Sequence, residues 1–429
     1  MKAVILAAGE GQRLLPLTAT RPKPLLPVAG KPVLEHILTA LREAKIKEIL
    51  IIVGHQKEQI TKYFGDGSKL NLKITYKEQK EPLGTAHATS IAEDFVGNEN
   101  FLLIYGDVLT SKQNYPKIIE FFNKESPSTL ITTYKVKDAS LYGIIKTKNN
   151  QVTEIIEKPD PTEAKNQQIN AGIYIFTPKI FKAIKQTKKS KRGEYELTDS
   201  IQQLIKQDEN ILAYELEDWW IDIGTPWDLL DANKLLLEET KLEIKGKIEE
   251  GAKIIGPVGI GENTIIRSGS YIIGPTLIGK NCDIGPNCFI RPHTYIGNHC
   301  RIGNACEIKN SIILDHTHIA HLSYVGDSII GQNVNFGAGT ITANLRLDEK
   351  TIKMTIKGKR IDTGRRKLGA IIGDNVKTGI GCMLMPGIKI GQNSLIGPNT
   401  TINKDIPPNT ITTTKPQNTT KPLQPQPKK

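Results

Sequence analysis

Short, continuous apolar runs at Ala3 to Ala7, Ile49 to Val53 and Phe101 to Tyr105 set the rhythm of the first half of the chain. Runs of this length without alternation suit strands buried on both faces. Between the first two, Pro32 opens a segment in which Leu34, Ile37, Leu38 and Leu41 follow i, i+3, i+4, i+7, which predicts a helix with proline at its first turn. Alternating strands and helices through residue 232 predict an α/β arrangement. Parallel strands joined by crossover helices bind ligands at their carboxyl ends, so the loops after Ala7 and Tyr105 are where chemistry is expected. Trp227 to Glu239 reads as a closing or linking helix.

From Gly246 the period changes to six. Ile248, Ile254, Ile260, Ile266, Ile272, Ile278, Ile284, Ile290, Ile296, Ile302, Ile308 and Leu314 are all aliphatic, and Ile372, Leu384, Ile390, Ile396 and Ile402 resume the spacing with only Thr378 off type. Hexapeptide periodicity predicts a parallel β-helix, in which short flat strands stack coil upon coil at about 4.8 Å. Cys282, Cys288, Cys300 and Cys306 each stand two residues before a repeat aliphatic, where other hexads carry Ala252, Val258, Thr264, Ser270, Thr276 and Thr294. Two readings follow: reduced cysteines packing as small hydrophobes, or stacked pairs with a metal or redox role. The five cysteines form no CxxC pair, so neither a disulfide framework nor a zinc ribbon is indicated.

A chain of 429 residues is expected to hold two or three domains. The pattern places an α/β domain at 1–232, a linker at 233–245 and a β-helix at 246–405. Residues 344–369 interrupt the hexads with nine Lys or Arg (Arg346, Lys350, Lys353, Lys357, Lys359, Arg360, Arg365, Arg366, Lys367) against Asp348, Glu349 and Asp362. This insertion reads either as a clamp for a phosphate-rich ligand or as a solvated or subunit-bridging hairpin. Residues 406–429 hold six prolines, four lysines and no acid, a tail expected to be disordered. Lys and Arg total 57 against 45 Asp and Glu, a net charge of +12 that favours anionic partners. Aromatics are only 6% of the chain, which argues against base-stacking platforms and hence nucleic acid. No run approaches the ~18 apolar residues of a membrane helix, and Met1 to Leu6 starts directly on a strand pattern, so a cytoplasmic protein without membrane association is expected.

Leu6-Ala7-Ala8-Gly9-Glu10-Gly11-Gln12-Arg13 places two glycines and an arginine just after the first strand, followed by Arg21-Pro22-Lys23-Pro24. Glycines let backbone amides approach phosphate oxygens, though a tight strand-to-helix turn explains them about as well. With Arg13 and the Pro-Lys-Pro run, residues 1 to 230 resemble the sugar-1-phosphate nucleotidylyltransferases. That resemblance implies an α/β Rossmann-like nucleotidyltransferase domain. It makes Arg13 and Lys23 catalytic, and Ala8, Gly9, Gly11, Gln79, Gly84 and Thr85 nucleotide-binding. Gly143, Glu157, Lys158 and Asn170 become the sugar-phosphate pocket, and Asp107 and Asp222 the ligands of Mg²⁺. The chemistry agrees: a sugar phosphate attacking a nucleoside triphosphate brings two anions together, and cations offset the repulsion.

Hexapeptide β-helices also serve purely for assembly, so architecture alone does not settle a second activity. The discriminating segments are Glu307-Ile308-Lys309, Ala320 to Asp327 and Asn333 to Asn344. They resemble the acetyltransferase half of the bifunctional glucosamine-1-phosphate acetyltransferases and N-acetylglucosamine-1-phosphate uridylyltransferases, whose archaeal forms share the basic insertion. By that resemblance the β-helix is left-handed, with three hexads to a coil, and the protein is a homotrimer with acetyl-transfer sites between neighbouring helices. His321 is implied as general base. Arg291, Lys309, Tyr324, Asn335 and Asn344 are implied to hold the amino-sugar-1-phosphate, and Ala338 to contact acetyl-CoA. An ammonium must lose a proton before attacking a thioester, and imidazole suits that task. A zinc reading of His316, His318 and His321 is disfavoured, because the family's acyl transfer needs no metal and His318 falls on the small-residue repeat position. RPKPLLPV and WIDIGTPWDLL look more like glucose-1-phosphate thymidylyltransferases, which leaves UTP and dTTP both open as nucleotide donor.

Overall fold

The computed structural model describes the chain except residues 158, 159, 161, 191, 240, 242, 416–419 and 421–429. Two compact units emerge: Met1–Leu242 with Pro275–Leu277 and His293–Tyr295, and Glu243–Gly274 with Ile278–Pro292 and Ile296–Lys429.

The first unit is built on a nine-stranded mixed sheet in the order Lys73–Glu78, Glu48–Val53, Lys2–Ala7, Phe101–Tyr105, Lys165–Phe176, Thr129–Asp138, Ile211–Glu215, Gln151–Glu157 and Gly143–Lys148. The three apolar runs are its parallel centre, and Ala3, Val4, Ile5, Ile49 to Ile52 and Phe101 to Ile104 are fully buried. Lys2–Ala7 lies between Glu48–Val53 and Phe101–Tyr105, parallel to both, and Leu6 pairs with Tyr105. The loops leaving these two strands therefore start side by side, and Gly106 N donates to Leu6 O at 2.8 Å. The predicted helix spans Val33–Glu43 and buries Leu34, Ile37, Leu38 and Leu41 to 1% exposure or less. The closing helix, Pro226–Glu239, runs past the expected boundary at 232 because Leu229, Leu230, Leu236 and Leu237 all bury.

The second unit stacks short parallel strands into three flat sheets of nine, eight and seven strands. The repeat aliphatics point inward as one continuous core from Val258 to Ile402. Ile248, in the outermost rung, is 37% exposed. The off-type Thr378 is buried and shares a hydrogen bond of 2.8 Å with Thr340. All five cysteines are reduced and buried, and Cys382, like the other four, sits two residues before an inward aliphatic, Leu384. A residue in the left-handed region turns most corners, three places before the inward residue: Asn281, Asn287, His299, Asn310, His316, Asp327, Asn333, Asn375 and Asn393 among them. Asparagine tolerates that conformation. Its side chain also bonds to the next rung, Asn333 to Asn375 to Asn393 to Asn409 at 3.3, 2.9 and 2.9 Å.

Three expectations need correction. The sixfold count slips after Ile308: Ile313, not Leu314, pairs with Ile330, while Ile302 pairs with Ile319 and Ile308 with Val325, so these coils are one residue shorter. His318 therefore lies immediately before the inward Ile319 and is exposed; the small-residue position belongs to the buried Thr317. The strand ladder also continues past 405, with Ile406 bridging Ile390 and Ile411–Thr412 pairing with Leu395–Ile396. Most of the remaining tail lies outside the described residues. The insertion forms an antiparallel hairpin, Lys353–Ile356 with Lys359–Asp362, between Ile341–Thr342 and Ile371–Ile372.

Candidate functional site

The loops after the two central strands deliver Arg13 and Asp107 to one cleft of about 340 Å³, which Ala8, Gly9 and Gly11 do not line. Its walls include Arg13, Thr85, Asp107, Gly143, Glu157, Asn170 and Asp222, residues drawn from widely separated parts of the sequence. Gly11 turns the loop with φ of 68°, and a β-carbon there would stand 3.0 Å from Lys23 Cβ. Lys23 is buried and forms an ion pair with Asp107. Asp222 is carried beside Asp107 by a two-stranded ribbon, Val108–Thr110 with Trp220–Asp222, and Ile223 N donates to Asp107 O at 2.9 Å. Burial, then the charge of Asp107, pushes the Asp222 carboxyl up to about 7 against the opposing pull of Lys23 and Arg13. The Arg13 guanidinium lies over Gly224, where a β-carbon would stand 3.3 Å from it.

At the far wall Gly143 pairs across the strands with Glu157, whose Oε1 would lie 3.0 Å from a β-carbon on Gly143, so a side chain there would push the carboxylate aside. Asn170 Nδ2 donates to Tyr174 OH at 2.6 Å, and Tyr174 OH to Tyr105 OH at 3.2 Å. Burial pushes Tyr105 up to about 12, so both phenols remain neutral donors. Gln79 Nε2 donates to Gly84 O at 3.0 Å, pinning the turn that presents Thr85, whose Oγ1 accepts from Leu197 N at 2.9 Å. Gly9 has open space where a β-carbon would be, and Ala8 packs against Gly54. Lys158 lies outside the described residues. Tyr105, Tyr142, Arg192, Glu196 and Trp220 also line the cleft and were not anticipated. Arg192 pairs with Glu196 at 2.8 Å, an i, i+4 signal present in the sequence.

On the β-helix, the one-residue slip brings a second group together. Lys309 Nζ lies 3.0 Å from Asp327 Oδ2, Asn310 Nδ2 donates to Asp327 Oδ1 at 2.7 Å, and Asn344 Nδ2 donates both to Asp327 and, at 3.1 Å, to Tyr324 OH. Asp327 was not singled out in the sequence, yet its carboxylate, 5% exposed, organises all three. Burial and then the charge of Asp327 raise Tyr324, keeping it a neutral phenol. Arg291 bonds to Glu307 at 2.9 Å, one rung below Tyr324 on the same sheet. His321 is exposed at the corner that leads into Tyr324, its carbonyl accepting from Gly339 N at 3.3 Å. Asn335 stacks over His318 on a neighbouring sheet, away from Lys309 and Tyr324. The carbonyl of Ala338 accepts from Gly381 N at 2.8 Å.

Residues 2–239 match the nucleotidyl transferase family, 272–385 the GMPPB C-terminal domain, and 369–404 the bacterial transferase hexapeptide (six repeats). The fold and these matches define a Rossmann-like nucleotidyltransferase joined to a left-handed hexapeptide β-helix. The chain is 46% identical over 412 residues to the "Bifunctional protein GlmU" of Methanocaldococcus jannaschii, covering 96% of this chain and 97% of the relative. It is 42% identical to the "Bifunctional sugar-1-phosphate nucleotidylyltransferase/acetyltransferase" of Sulfurisphaera tokodaii, covering 95% and 98%. A putative glucose-1-phosphate thymidylyltransferase structure from Bacillus anthracis superposes with TM-score 0.51 at 34% identity, covering 55% of this chain and 94% of that one. The chain belongs to the bifunctional GlmU family.

Whether Mg²⁺ fits can be judged from the donors. Among the described residues no group of three or more His, Cys, Asp or Glu is arranged for a metal. Mg²⁺ shared with substrate phosphates needs only one or two carboxylates. Asp107 and Asp222 supply two, and the raised Asp222 shows that two negative charges in this burial lack full compensation from Lys23 and Arg13. No helix among the described residues is long and apolar enough to cross a membrane.

Proposed function

We propose that this protein acetylates glucosamine-1-phosphate with acetyl-CoA and then joins N-acetylglucosamine-1-phosphate to UMP from UTP, giving UDP-N-acetylglucosamine and pyrophosphate. One observation carries the reading: both residue groups stand intact on a chain that aligns end to end with bifunctional relatives. In the acetyl step, Lys309, Arg291, Tyr324 and Asn344 hold the sugar phosphate. His321 takes a proton from the ammonium, the freed amine attacks the thioester carbonyl, and the carbon–sulfur bond breaks to release coenzyme A. The placement of Asn335 on a neighbouring sheet supports a site completed by another copy of the chain, and hence a homotrimer.

In the nucleotidyl step, Gly143, Glu157, Lys158 and Asn170 hold the sugar, while Ala8, Gly9, Gly11, Gln79, Gly84 and Thr85 hold the nucleotide. Asp107 and Asp222 would hold Mg²⁺, which offsets phosphate charge when bound. Arg13 and Lys23 stabilise the charge that develops as a sugar-phosphate oxygen displaces pyrophosphate from the α-phosphorus. The phosphate is itself the nucleophile, so no side chain is needed in that role. These are metabolites of the cytoplasm, where we place the enzyme.

The test is to give purified protein glucosamine-1-phosphate and acetyl-CoA without nucleotide and follow thiol release. Release that disappears in His321→Ala is expected. No release from protein that still forms nucleotide sugar would leave a single-activity nucleotidylyltransferase with a β-helix for assembly. The likeness to a thymidylyltransferase makes UTP against dTTP the companion measurement, and a preference for dTTP would overturn the uridylyl assignment.

A further inference from the structure

Neither reaction, as described, uses the excursion between Asn344 and Gly369. It is built as an arm rooted in the Lys309–Asp327 group: Leu368 N donates to Asn344 O at 3.0 Å and Gly369 N to Asp327 O at 2.8 Å. Its turn residues Lys357 and Gly358 both have positive φ, 47° and 75°, the combination that matches the twist of a two-residue hairpin. Ile352, Met354 and Leu368 are at most 1% exposed, and a β-carbon on Gly387 in the helix wall would stand 2.5 Å from Ile352 Cγ2. The arm is thus packed down on the β-helix.

Charge is sorted along it. The three acids are engaged away from the tip: Asp348 by Arg346, Glu349 by Arg366, and Asp362 by Thr351 and Gly364 N. The tip, Lys357-Gly358-Lys359-Arg360, is exposed and carries three cations with no ion pair among the described residues. Burial depresses the pKa of Lys389 on the wall, opposed by the charge of Asp405, whose Oδ1 accepts from Lys389 N at 2.9 Å, and aided to a smaller degree by the charge of Arg360. Like charges held together on a packed element are a preformed receptor for a multiply charged anion.

We propose that Lys357, Lys359 and Arg360, with Lys389, bind the 3′-phosphate and pyrophosphate of acetyl-CoA. The proposal rests on the acyl-transfer reading above. Root and tip fit the two ends of the donor. The root stands at the acceptor group, where the thioester must be, and the tip lies ~15 Å further along the hairpin at ~3.3 Å per residue. A pantetheine chain covers a stretch of that order.

The triple variant Lys357→Ala, Lys359→Ala, Arg360→Ala alters exposed positions only. Steady-state kinetics with acetyl-CoA, acetyl-dephospho-CoA and acetyl-pantetheine should show KM for acetyl-CoA rising about tenfold, KM for acetyl-pantetheine unchanged, and kcat unchanged for both. The wild-type preference for acetyl-CoA over the dephospho donor should shrink. An equal effect on all three donors, or none on any, would overturn the assignment. So would a changed oligomeric mass or a raised KM for UTP, which would give the tip to a subunit contact or to the nucleotide. Wild-type protein inactive with every donor would instead remove the acyl-transfer reading, and this proposal with it.

Discussion

Lys309 meets Asp327 across adjacent rungs of the β-helix, its ammonium 3.0 Å from a carboxylate that is almost wholly buried. A buried acid that accepts from Lys309, Asn310 and Asn344 sets the positions of groups proposed to hold the acceptor, without itself being offered to substrate. Asp327→Asn should therefore raise KM for glucosamine-1-phosphate about tenfold, with kcat for nucleotidyl transfer unchanged. Steady-state assays of the two half-reactions on one preparation check this, and equal loss in both would mean a general folding defect.

The Lys23–Asp107 pair makes the opposite prediction. Lys23→Ala leaves a carboxylate unpaired and removes a cation from the cleft, so nucleotidyl transfer should fall by about 10² or more, while acetyl transfer persists. Radiolabelled pyrophosphate exchange and thiol release, measured in parallel, separate the two.

Leu322 occupies a β-helix corner with φ of 50° and is 61% exposed, a conformation that disfavours a branched apolar side chain. Replacing it with the residue most corners use, Leu322→Asn, should raise stability by about 1 kcal/mol. Urea unfolding with an unchanged m-value is the measurement, and a stability loss would show that the leucine makes contacts that matter.

Alkaline pH should destabilise the protein. Burial pushes Cys288 up to about 11 and Tyr105 up to about 12, so the folded state keeps protons that the unfolded chain releases above about 9 and 10. A raised folded pKa contributes stability that is complete below the unfolded value and lost as pH rises, so the urea midpoint should fall from pH about 9 upward. At pH 8 native protein should be nearly inert to a thiol reagent, and denaturation should release all five cysteines.

The hexads were legible because a flat strand repeats its inward position every six residues, and all but Leu314 of the seventeen aliphatics in the two series hold that position. The slip was hidden because Ile312, Ile313 and Leu314 are consecutive aliphatics, so counting to Leu314 met an acceptable residue. The shortened coil sets Asp327 above Asn310, while Lys309, which a regular coil would place directly beneath it, still reaches its carboxylate. In the cleft, Asp107 was legible through the family resemblance, in the loop after a buried strand where chemistry is expected, whereas Arg192 reaches the same space by long-range folding. The helix from Pro226 to Glu239 blurred a boundary placed by composition alone, since its apolar face belongs to the first unit.

The shortened coils have a further consequence. A wall of identical rungs offers no address: every level looks like the next, and whole turns can be gained or lost with little effect on those that remain. One residue is dropped twice, between Ile308 and Ile313 and again between Val325 and Ile330, which breaks that equivalence over the levels that carry the Lys309–Asp327 pairing. The rungs from Arg291 to Asn344 are therefore fixed in register by the groups they hold.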